Sequence, residues 1–474
     1  PTALNSGTGV PHLLAMLVPM SPTDAVFLLV ETREHPMHVG GLQLFCPPEG
    51  ATALDVRDMF TAGLAEDPDE VAPLFRKRAR RSVTSLGQWG WEPDPGFDLD
   101  YHVRRSALPQ PGRVRDLLAL CSRLHSSLLD RHRPLWELHL IEGLDDGRFA
   151  TYFKVHHAMV DGVAALRMLA RMLSPDADER GMPPPWAPRQ QPRPEPSSAP
   201  VPVTATDLIG DVAGLGMSLA RTVQRALAEQ SGALSFSAPK SMFNVPITGA
   251  RRFAAQSWPM DRVRAIGKAA EVTVNDVVLA LCAGALRSYL ARLDALPEAP
   301  LIAMVPVSLR SDDGAESEDG GGNAIGAVMC NLGTHLADAG ERLTAVHASM
   351  TEGKAFLREM SPVQTVAMTA LGMSPLVLYP LLRLDGIARP PFNLIISNVP
   401  GPREPMYWNG ARLNGLYPLS VPLDGQALNI TCTSYSNELA FGLTGCRRTV
   451  PHLQQLLGDL EDEFVALERA AGMH

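Results

Sequence analysis

The stretch that decides the fold of this chain is His156-His157-Ala158-Met159-Val160-Asp161-Gly162. Before it, Glu137–Ile141 and Arg148–Val155 are apolar or alternating and flank a cluster of turn residues, which predicts an antiparallel hairpin. After it, Val163–Leu173 returns to a helical period. The two histidines therefore fall where a strand ends and a helix begins, a junction at which side chains and helix N–H groups converge.

The histidine pair carries the main chemical prediction. Successive strand side chains point to opposite faces, so only one of His156 and His157 can face a given cleft. This geometry, and the lack of a His-Glu-x-x-His set nearby in the sequence, argue against a metal site. A neutral imidazole, whose ordinary pKa is about 6.5, is suited to take a proton from a hydroxyl that attacks a thioester. Asp161 either orients the imidazole or pairs with an arginine and holds the loop. The competing interpretation is a structural histidine pair above an Asp-Gly turn.

Length and composition exclude several classes of protein. The 474 residues are more than one core usually organises, and 45% hydrophobic with 20% charged residues is typical of globular domains. A formal net charge of -9 has the wrong sign for a nucleic-acid-binding protein. Six widely spaced cysteines indicate reduced thiols. The first 20 residues lack a basic n-region, and we find no uninterrupted apolar stretch of about 18 residues, so we expect a soluble or peripheral cytoplasmic protein.

A proline-rich stretch divides the chain. Proline at the density found in Ser174–Thr206 blocks helix and ladder hydrogen bonds, which predicts an extended crossover. We therefore predict an N-terminal domain over 1–173, a linker and helix over 174–245, and a C-terminal domain over 246–474, each a layered α/β unit. Further predicted strands are Leu301–Val307, Ala327–Leu332, Phe392–Ser397, Leu428–Tyr435 and Leu439–Leu443, and further predicted helices are Arg113–Asp130, Val277–Leu293 and Pro451–Ala471.

The run His156–Gly162 resembles the HHxxxDG signature of the bacterial wax ester synthase/diacylglycerol acyltransferase family, within the coenzyme A-dependent acyltransferase fold shared by chloramphenicol acetyltransferase and condensation domains. Other segments are similar to that family in its order, and the resemblance runs from about Pro19 to near the C-terminus. The similar segments are Ser21–Asp24, Pro36–Gly41, Pro134–Trp136, Arg251–Ser257, Asn275–Val278, Ser397–Pro402 and Tyr407–Gly410. The residues before Met20 look like an extension relative to the family.

The resemblance implies a two-domain α/β fold with mixed sheets, flanking helices and an active-site tunnel at the domain interface. Coenzyme A would enter on one side and the acyl acceptor on the other. His157 would be the acid–base residue, with His156 in support. Asp161 and Gly162 would shape the loop, and we predict that Asp161 pairs with Arg310.

The oxyanion of a tetrahedral intermediate needs a donor fixed where charge develops. The resemblance makes Asn275 the candidate. The alternative is a plain helix cap, because either Asn275 or Asp276 can cap the helix predicted over Val277–Leu293.

Substrate-binding segments are also implied by the resemblance. Pro134, Leu135 and Trp136 form either a wall of the acyl channel or simple core. Ser397 and Asn398 leave a strand on a Pro-Gly-Pro turn, which has a substrate-positioning role or is only a turn. Leu371 and Leu416 would line the acceptor channel. The apolar segments Val363–Leu384 and Val201–Ala228 are either lipid-facing or buried core.

The function implied is that of an O-acyltransferase with fatty acyl-CoA as co-substrate and no permanently bound cofactor. It would act as a long-chain-alcohol O-fatty-acyltransferase, a diacylglycerol O-acyltransferase or both, at the inner membrane or at lipid inclusions. The alternatives are a condensation-type acyltransferase that uses a carrier-bound thioester, and a catalytically silent lipid-inclusion protein. The preferred acceptor is left open.

Overall fold

The structure is a computed structural model that describes residues 18–61, 70–81, 87–160, 162–188, 238–308, 325–360 and 389–473. Several sequence predictions fall outside these residues, namely those on Asp161, Arg310, Leu371, Val201–Ala228 and Val363–Leu384.

The described part of the chain contains both helices and strands. Its helices are α1 (Pro22–Val30), α2 (Ala53–Thr61), α3 (Pro73–Arg76), α4 (Leu99–His102), α5 (Val114–Ser126), α6 (Gly162–Ala170), α7 (Met260–Ala269), α8 (Val274–Arg292), α9 (Ala339–Glu359) and α10 (Gln455–Ala470). Its strands are β1 (Val18–Pro19), β2 (His38–Cys46), β3 (Lys77–Arg81), β4 (Trp89–Pro93), β5 (Val103–Ala107), β6 (Trp136–Glu142), β7 (Phe149–His156), β8 (Arg251–Pro259), β9 (Ile302–Ser308), β10 (Ile325–Asn331), β11 (Leu394–Val399), β12 (Tyr407–Trp408), β13 (Ala411–Leu419), β14 (Leu428–Tyr435) and β15 (Glu438–Cys446).

The first large sheet has the strand order β12-β13-β2-β7-β6-β5. Its pairs are antiparallel except β5 with β6. Strands β6 and β7 are buried along their whole length, because α5 covers one face and a large apolar cluster covers the other. In this register His38 of β2 lies opposite His156 of β7. A small sheet, β1-β4-β3, flanks this half of the molecule.

The second large sheet has the order β10-β9-β11-β14-β15-β8, with β11 parallel to both of its neighbours. Helix α8 packs against α9 and α10 in the core of this half. By length and composition α8 could cross a membrane, and it is the one helix among the described residues that meets this test. Its residues from Asp276 to Leu286 are all buried, which is typical of a core helix.

The predicted α/β class with mixed sheets and flanking helices is confirmed. The boundary predicted at residue 246 does not separate the sheets, because β12 and β13 follow that boundary yet pair with β2 of the first half. The first residues of the proline-rich stretch pack against the folded part of the chain. Ser174 and Tyr407 exchange backbone hydrogen bonds of 2.9 and 2.7 Å, and buried Trp186 stacks on Trp136.

Candidate active site

His157 is held by its backbone and by its ring. Strand β7 ends at His156, and His157 begins the turn that leads to α6. The His157 N–H donates to the carbonyl oxygen of Met37 at 2.8 Å. Its imidazole stacks on Phe27 of α1, with 4.1 Å between ring centroids and 16° between planes. His157 is therefore held by α1 through its ring and by Met37, the residue before β2, through its backbone, and the residue is partly exposed although its Nδ1 is buried.

His156 has a different environment. It is fully buried, and its Nε2 lies 3.4 Å from Oε1 of Glu31. Its Nδ1 accepts the N–H of Ala158 at 3.1 Å, which places the imidazole proton on Nε2, toward the carboxylate. The two histidines thus have separate surroundings, and His156 braces the turn that carries His157.

Glu31 connects both histidines. Its buried carboxylate accepts the N–H of Met37 at 3.1 Å and Nε of Arg131 at 2.9 Å. Burial raises the pKa of Glu31, but hydrogen bonds and charge attraction from His156, Met37 and Arg131 outweigh burial, so the net pKa is lowered. Because the Met37 carbonyl accepts the His157 N–H, the Glu31 carboxylate supports the turn that carries His157 both through Met37 and through His156.

A buried polar network lies behind the histidine pair. Lys154 is fully buried, and its Nζ donates to the carbonyl oxygens of Leu124 and Ser127, each at 3.1 Å. It also lies 3.2 Å from Oε2 of Glu137. Burial raises the pKa of Glu137, but the hydrogen bond to His139 and the nearby cations lower it to about 2. Lys154 on β7 therefore connects the C-terminal end of α5 to the strand that ends at His156.

His125 of α5 joins the same network as a neutral residue. Its Nδ1 lies 2.8 Å from the hydroxyl of Tyr152, and its Nε2 lies 3.0 Å from the carbonyl oxygen of Ser420. Burial lowers the pKa of His125 to about 3. Burial also holds the pKa of His38 well below its ordinary value.

The two halves of the sequence meet at α5. The hydroxyl oxygens of Ser126 and Ser122 accept the N–H groups of Arg251 and Phe253, at 2.8 and 2.9 Å. The Arg251 guanidinium also donates to the carbonyl oxygen of Glu34 at 2.9 Å. The loop between α1 and β2, which positions His157, therefore also contacts the second half.

Asn275 is not the cap of α8, and neither is Asp276. Thr273 is the N-cap, because its hydroxyl accepts the Asp276 N–H at 3.2 Å while the Asp276 carboxylate accepts the Thr273 N–H at 3.0 Å. Asn275 lies half-buried in the first turn, one residue before Asp276. Among the described residues, no hydrogen bond joins Asn275 to His157, so the oxyanion role stays a prediction.

The Pro134–Trp136 segment lies beside the histidines. Leu135 and Trp136 are fully buried, and the Leu135 carbonyl accepts the His156 N–H at 2.9 Å. The Trp136 indole donates to the carbonyl oxygen of Phe75 at 2.8 Å. These contacts support the core interpretation of Trp136, and its role as a channel wall stays a prediction.

The other predicted binding residues divide between two strands. Leu416 on β13 is buried in the same apolar cluster as Met159 and Val399. Ser397 and Asn398 are half-buried on β11 and directly precede Val399. This cluster brings the histidine turn, β13 and the end of β11 into one core. Gly162 begins α6 directly after the turn.

Sequence reasoning did not select Glu31, Phe27 or Met37 as site residues. The available signal was weak, because a single carboxylate after the apolar run of α1 resembles an ordinary helix end. Only the fold shows that this helix end lies against His156.

The fold and the histidine turn define a class. The starter condensation domain of rhizomide synthetase RzmA is 15% identical, with a TM-score of 0.56 over 96% of this chain and 94% of that one. At that identity the likeness concerns the fold alone, which this chain shares with condensation domains.

Closer comparisons give the family. The family model for the wax ester synthase/diacylglycerol acyltransferase catalytic domain matches residues 20–278, and the model for the WS/DGAT C-terminal domain matches 321–468. The solved wax ester synthase/diacylglycerol acyltransferase from Marinobacter aquaeolei VT8 is 44% identical with a TM-score of 0.79, over 96% of this chain and all of that one. A Mycobacterium tuberculosis protein named "probable diacyglycerol O-acyltransferase tgs2" is 52% identical over 456 residues, covering 96% and 99% of the two chains. The chain belongs to the wax ester synthase/diacylglycerol acyltransferase family and is an O-acyltransferase.

Proposed function

We propose that the protein transfers a fatty acyl group from acyl-CoA to the hydroxyl of a long-chain alcohol or diacylglycerol, with His157 as the general base. The observation that carries this proposal is the position of the His157 ring. The ring is stacked on Phe27 in a residue that is partly exposed, while His156 is fully buried with its Nε2 directed at Glu31. Only one of the two imidazoles is thus placed to meet a substrate.

The reaction needs no acyl-enzyme. The imidazole of His157 takes the proton of the acceptor hydroxyl as its oxygen attacks the thioester carbonyl. The tetrahedral intermediate then breaks its C–S bond and forms the ester. The leaving thiolate takes the proton from the imidazolium, which releases free coenzyme A and restores the neutral base. Asn275 is our candidate donor to the oxyanion.

Both acceptors are included in the proposal. The Marinobacter relative is named for both activities, and the mycobacterial relative is named for diacylglycerol acylation. We propose acyl-CoA as a co-substrate and no permanently bound cofactor. An assay that offers hexadecanol and dioleoylglycerol together, with the ester products separated by chromatography, determines the preference.

We also propose a cytoplasmic location at the inner membrane or at lipid inclusions, because both acceptors are insoluble in water. Cell fractionation should recover the protein with membranes or inclusions. Recovery in the soluble fraction alone would contradict this location without affecting the chemistry.

Thiol release from palmitoyl-CoA tests the function. His157→Gln should lower the rate by roughly 10²- to 10⁴-fold with either acceptor, the usual contribution of a general base. His132→Gln is the matched control, because the His132 side chain is 95% exposed and should leave the rate unchanged. Equal rates in the parent and in His157→Gln with both acceptors would remove the proposal, as would the absence of acceptor-dependent release.

A further inference from the structure

A cavity of about 540 Å³ lies between α3 and the β3–β4 hairpin. Its walls are mostly apolar and include Val18, Leu74, Trp91 and Phe97. None of the residues assigned to the reaction lines it. The volume lies within the range of small-molecule sites, roughly 300–1,000 Å³. An apolar cavity of this size is suited to part of an alkyl chain.

One cation faces this apolar cavity without a carboxylate partner among the described residues. Lys77 is half-buried, and its Nζ lies 4.4 Å from the ring centroid of Trp91. Burial lowers the pKa of Lys77, and the negative charge of Asp24 opposes this only in part. A half-buried cation that packs on an aromatic ring, and that has no carboxylate in direct contact, gains from an anionic ligand.

The carboxylates that also line the cavity are already neutralised. Glu92 lies 2.7 Å from Nη2 of Arg78 and 2.9 Å from Nη1 of Arg80, and Asp94 lies 3.4 Å from Nη1 of Arg78. Arg76 adds a further cation to the lining. The lining thus holds equal numbers of cations (Arg76 and Lys77) and carboxylates (Glu92 and Asp94), and both carboxylates are paired with Arg78 or Arg80 outside the lining, so an anionic ligand in the cavity meets Lys77 and no unpaired carboxylate.

We propose that this cavity is a second lipid site, separate from the His157 site, that binds a long-chain fatty acid. The carboxylate meets the ammonium of Lys77, and the first part of the alkyl chain lies against Leu74, Trp91 and Phe97. A neutral alcohol or diacylglycerol gains at most a hydrogen bond from Lys77 and no charge attraction, which distinguishes this ligand from the acyl acceptors. Binding here requires no acyl transfer, so it can be tested whether or not the proposed reaction is found.

Equilibrium dialysis with radiolabelled palmitate, below the concentration at which it forms micelles, measures the site. Lys77→Met keeps the alkyl stem and removes the charge, and Leu74→Asp places a like charge on the apolar wall. Each should weaken one component of palmitate binding by about tenfold or more, the size expected for a hydrogen bond to a charged group. Arg81→Met is the matched control. Arg81 lies 4.5 Å over Trp89 in the same way but does not line the cavity, so this variant should bind palmitate like the parent.

Hexadecanol supplies the test of charge. It should compete poorly for the component that Lys77→Met removes. The proposal is overturned if Lys77→Met and Leu74→Asp bind palmitate like Arg81→Met, or if hexadecanol displaces that component as well as palmitate does. Thermal unfolding of each variant identifies any that does not fold. The two cavity variants act by different physical means, so either one gives a result alone.

Discussion

The buried carboxylate of Glu31 contacts several groups that hold the two histidines in place. It accepts hydrogen bonds from the buried N–H of Met37 and from Arg131, whose side chain is 37% exposed, and it faces the buried His156. Removing one member of a fully buried ion pair typically costs about 3–5 kcal/mol, and the cost here is smaller because the Arg131 charge that remains reaches solvent. The carboxylate is also two hydrogen bonds away from the His157 backbone. A change at Glu31 should therefore reach the reaction as well as the stability.

The first prediction concerns Glu31→Gln. The amide keeps the shape but removes the charge that Arg131 and His156 face, so the turn that carries His157 should shift. We expect kcat to fall roughly 10- to 100-fold, as for small displacements of catalytic groups, with little change in KM. Steady-state kinetics at a temperature where the variant is folded measures this. Glu34→Gln is the control, because Glu34 has an exposed side chain in the same loop. A parent-like kcat would show that Glu31 is only structural.

For single residues, the sequence shows the histidine motif but does not show which other residues hold that motif in place. His157 can be selected because strand alternation separates it from His156 and the family resemblance then chooses between them. Glu31 and Phe27 are far from the motif along the chain and come near it only through the β2–β7 register. A single sequence carries no signal for that pairing.

At the start of helix α8, the N-cap is Thr273 and the predicted oxyanion donor is a different residue, Asn275. Thr273 and Asp276 form a reciprocal pair of hydrogen bonds at its first turn, and Asn275 takes no part in that pair. Sequence reasoning placed the cap at Asn275 or Asp276 because both are good cap residues. The geometry selects Thr273, whose extended backbone (φ -77, ψ 156) is that of an N-cap.

The second prediction uses this separation. Thr273→Ala should lower the free energy of unfolding by about 1 kcal/mol through the lost cap, with kcat nearly unchanged. Asn275→Ala should leave unfolding nearly unchanged and lower kcat by roughly 10²- to 10³-fold, the cost of losing an oxyanion donor. Urea denaturation and thiol-release kinetics on both variants supply the comparison. The reverse pattern would exclude Asn275 as the donor.

The third prediction is a loss of stability in mild acid. The pKa of His125 is about 3 in the folded protein, against an ordinary value of 6.5. Between these two pH values the unfolded chain binds a proton at His125 that the folded protein does not bind. Its contribution is fully present above pH 6.5 and declines as the pH falls toward 3, by up to about 1.4 kcal/mol per pH unit. His38 acts in the same direction. Below pH 4.5 the lowered pKa of Glu137, about 2, adds a further loss.

Denaturation curves between pH 7.5 and 5 test this, since carboxylates contribute little there. His125→Gln should flatten the dependence, while His335→Gln, at an exposed position, should not. A slope that is unchanged in His125→Gln would assign the acid sensitivity to other groups.

At the element scale, agreement between sequence and structure follows the strength of the local pattern. The strand predicted over Leu428–Tyr435 has the observed bounds, because its residues suit a strand throughout and Ser436-Asn437 closes it. Strands β2 and β13 were not predicted. Strand β2 contains Gly40-Gly41, and β13 contains Gly415 and Pro418, residues that ordinarily indicate turns. Their ladders with each other and with β7 override those local preferences.

Two features join the two large sheets: strands that cross between the halves of the sequence, and a close backbone contact. Strands β12 and β13 leave the second half of the sequence to complete the first sheet. Next to them, Gly442 of β15 lies against the carbonyl of Pro418 on β13, and a Cβ at Gly442 would overlap that oxygen. The two sheets thus approach at backbone distance at a point where only glycine fits. A linear division of the chain at a proline-rich linker cannot show such a crossover.

The fourth prediction tests this contact. Gly442→Ala should force the sheets apart and lower the free energy of unfolding by about 1–3 kcal/mol or more, as overpacking does. Gly458→Ala is the matched control, because an added Cβ there meets open space within α10. That control should be neutral or stabilising by up to about 1 kcal/mol. Urea denaturation of both variants provides the measurement, and equal stabilities would mean that the sheets can adjust freely.

The β13–β2 ladder also has a consequence for biosynthesis. While the chain is being made, β2 emerges several hundred residues before its partner β13, so one edge of the nascent sheet has unpaired N–H and C=O groups for most of translation. An open edge of this kind invites pairing with other chains. We therefore expect the N-terminal half, released alone, to aggregate or to need a chaperone, and the full chain to become resistant to aggregation only once residues 411–419 have left the ribosome.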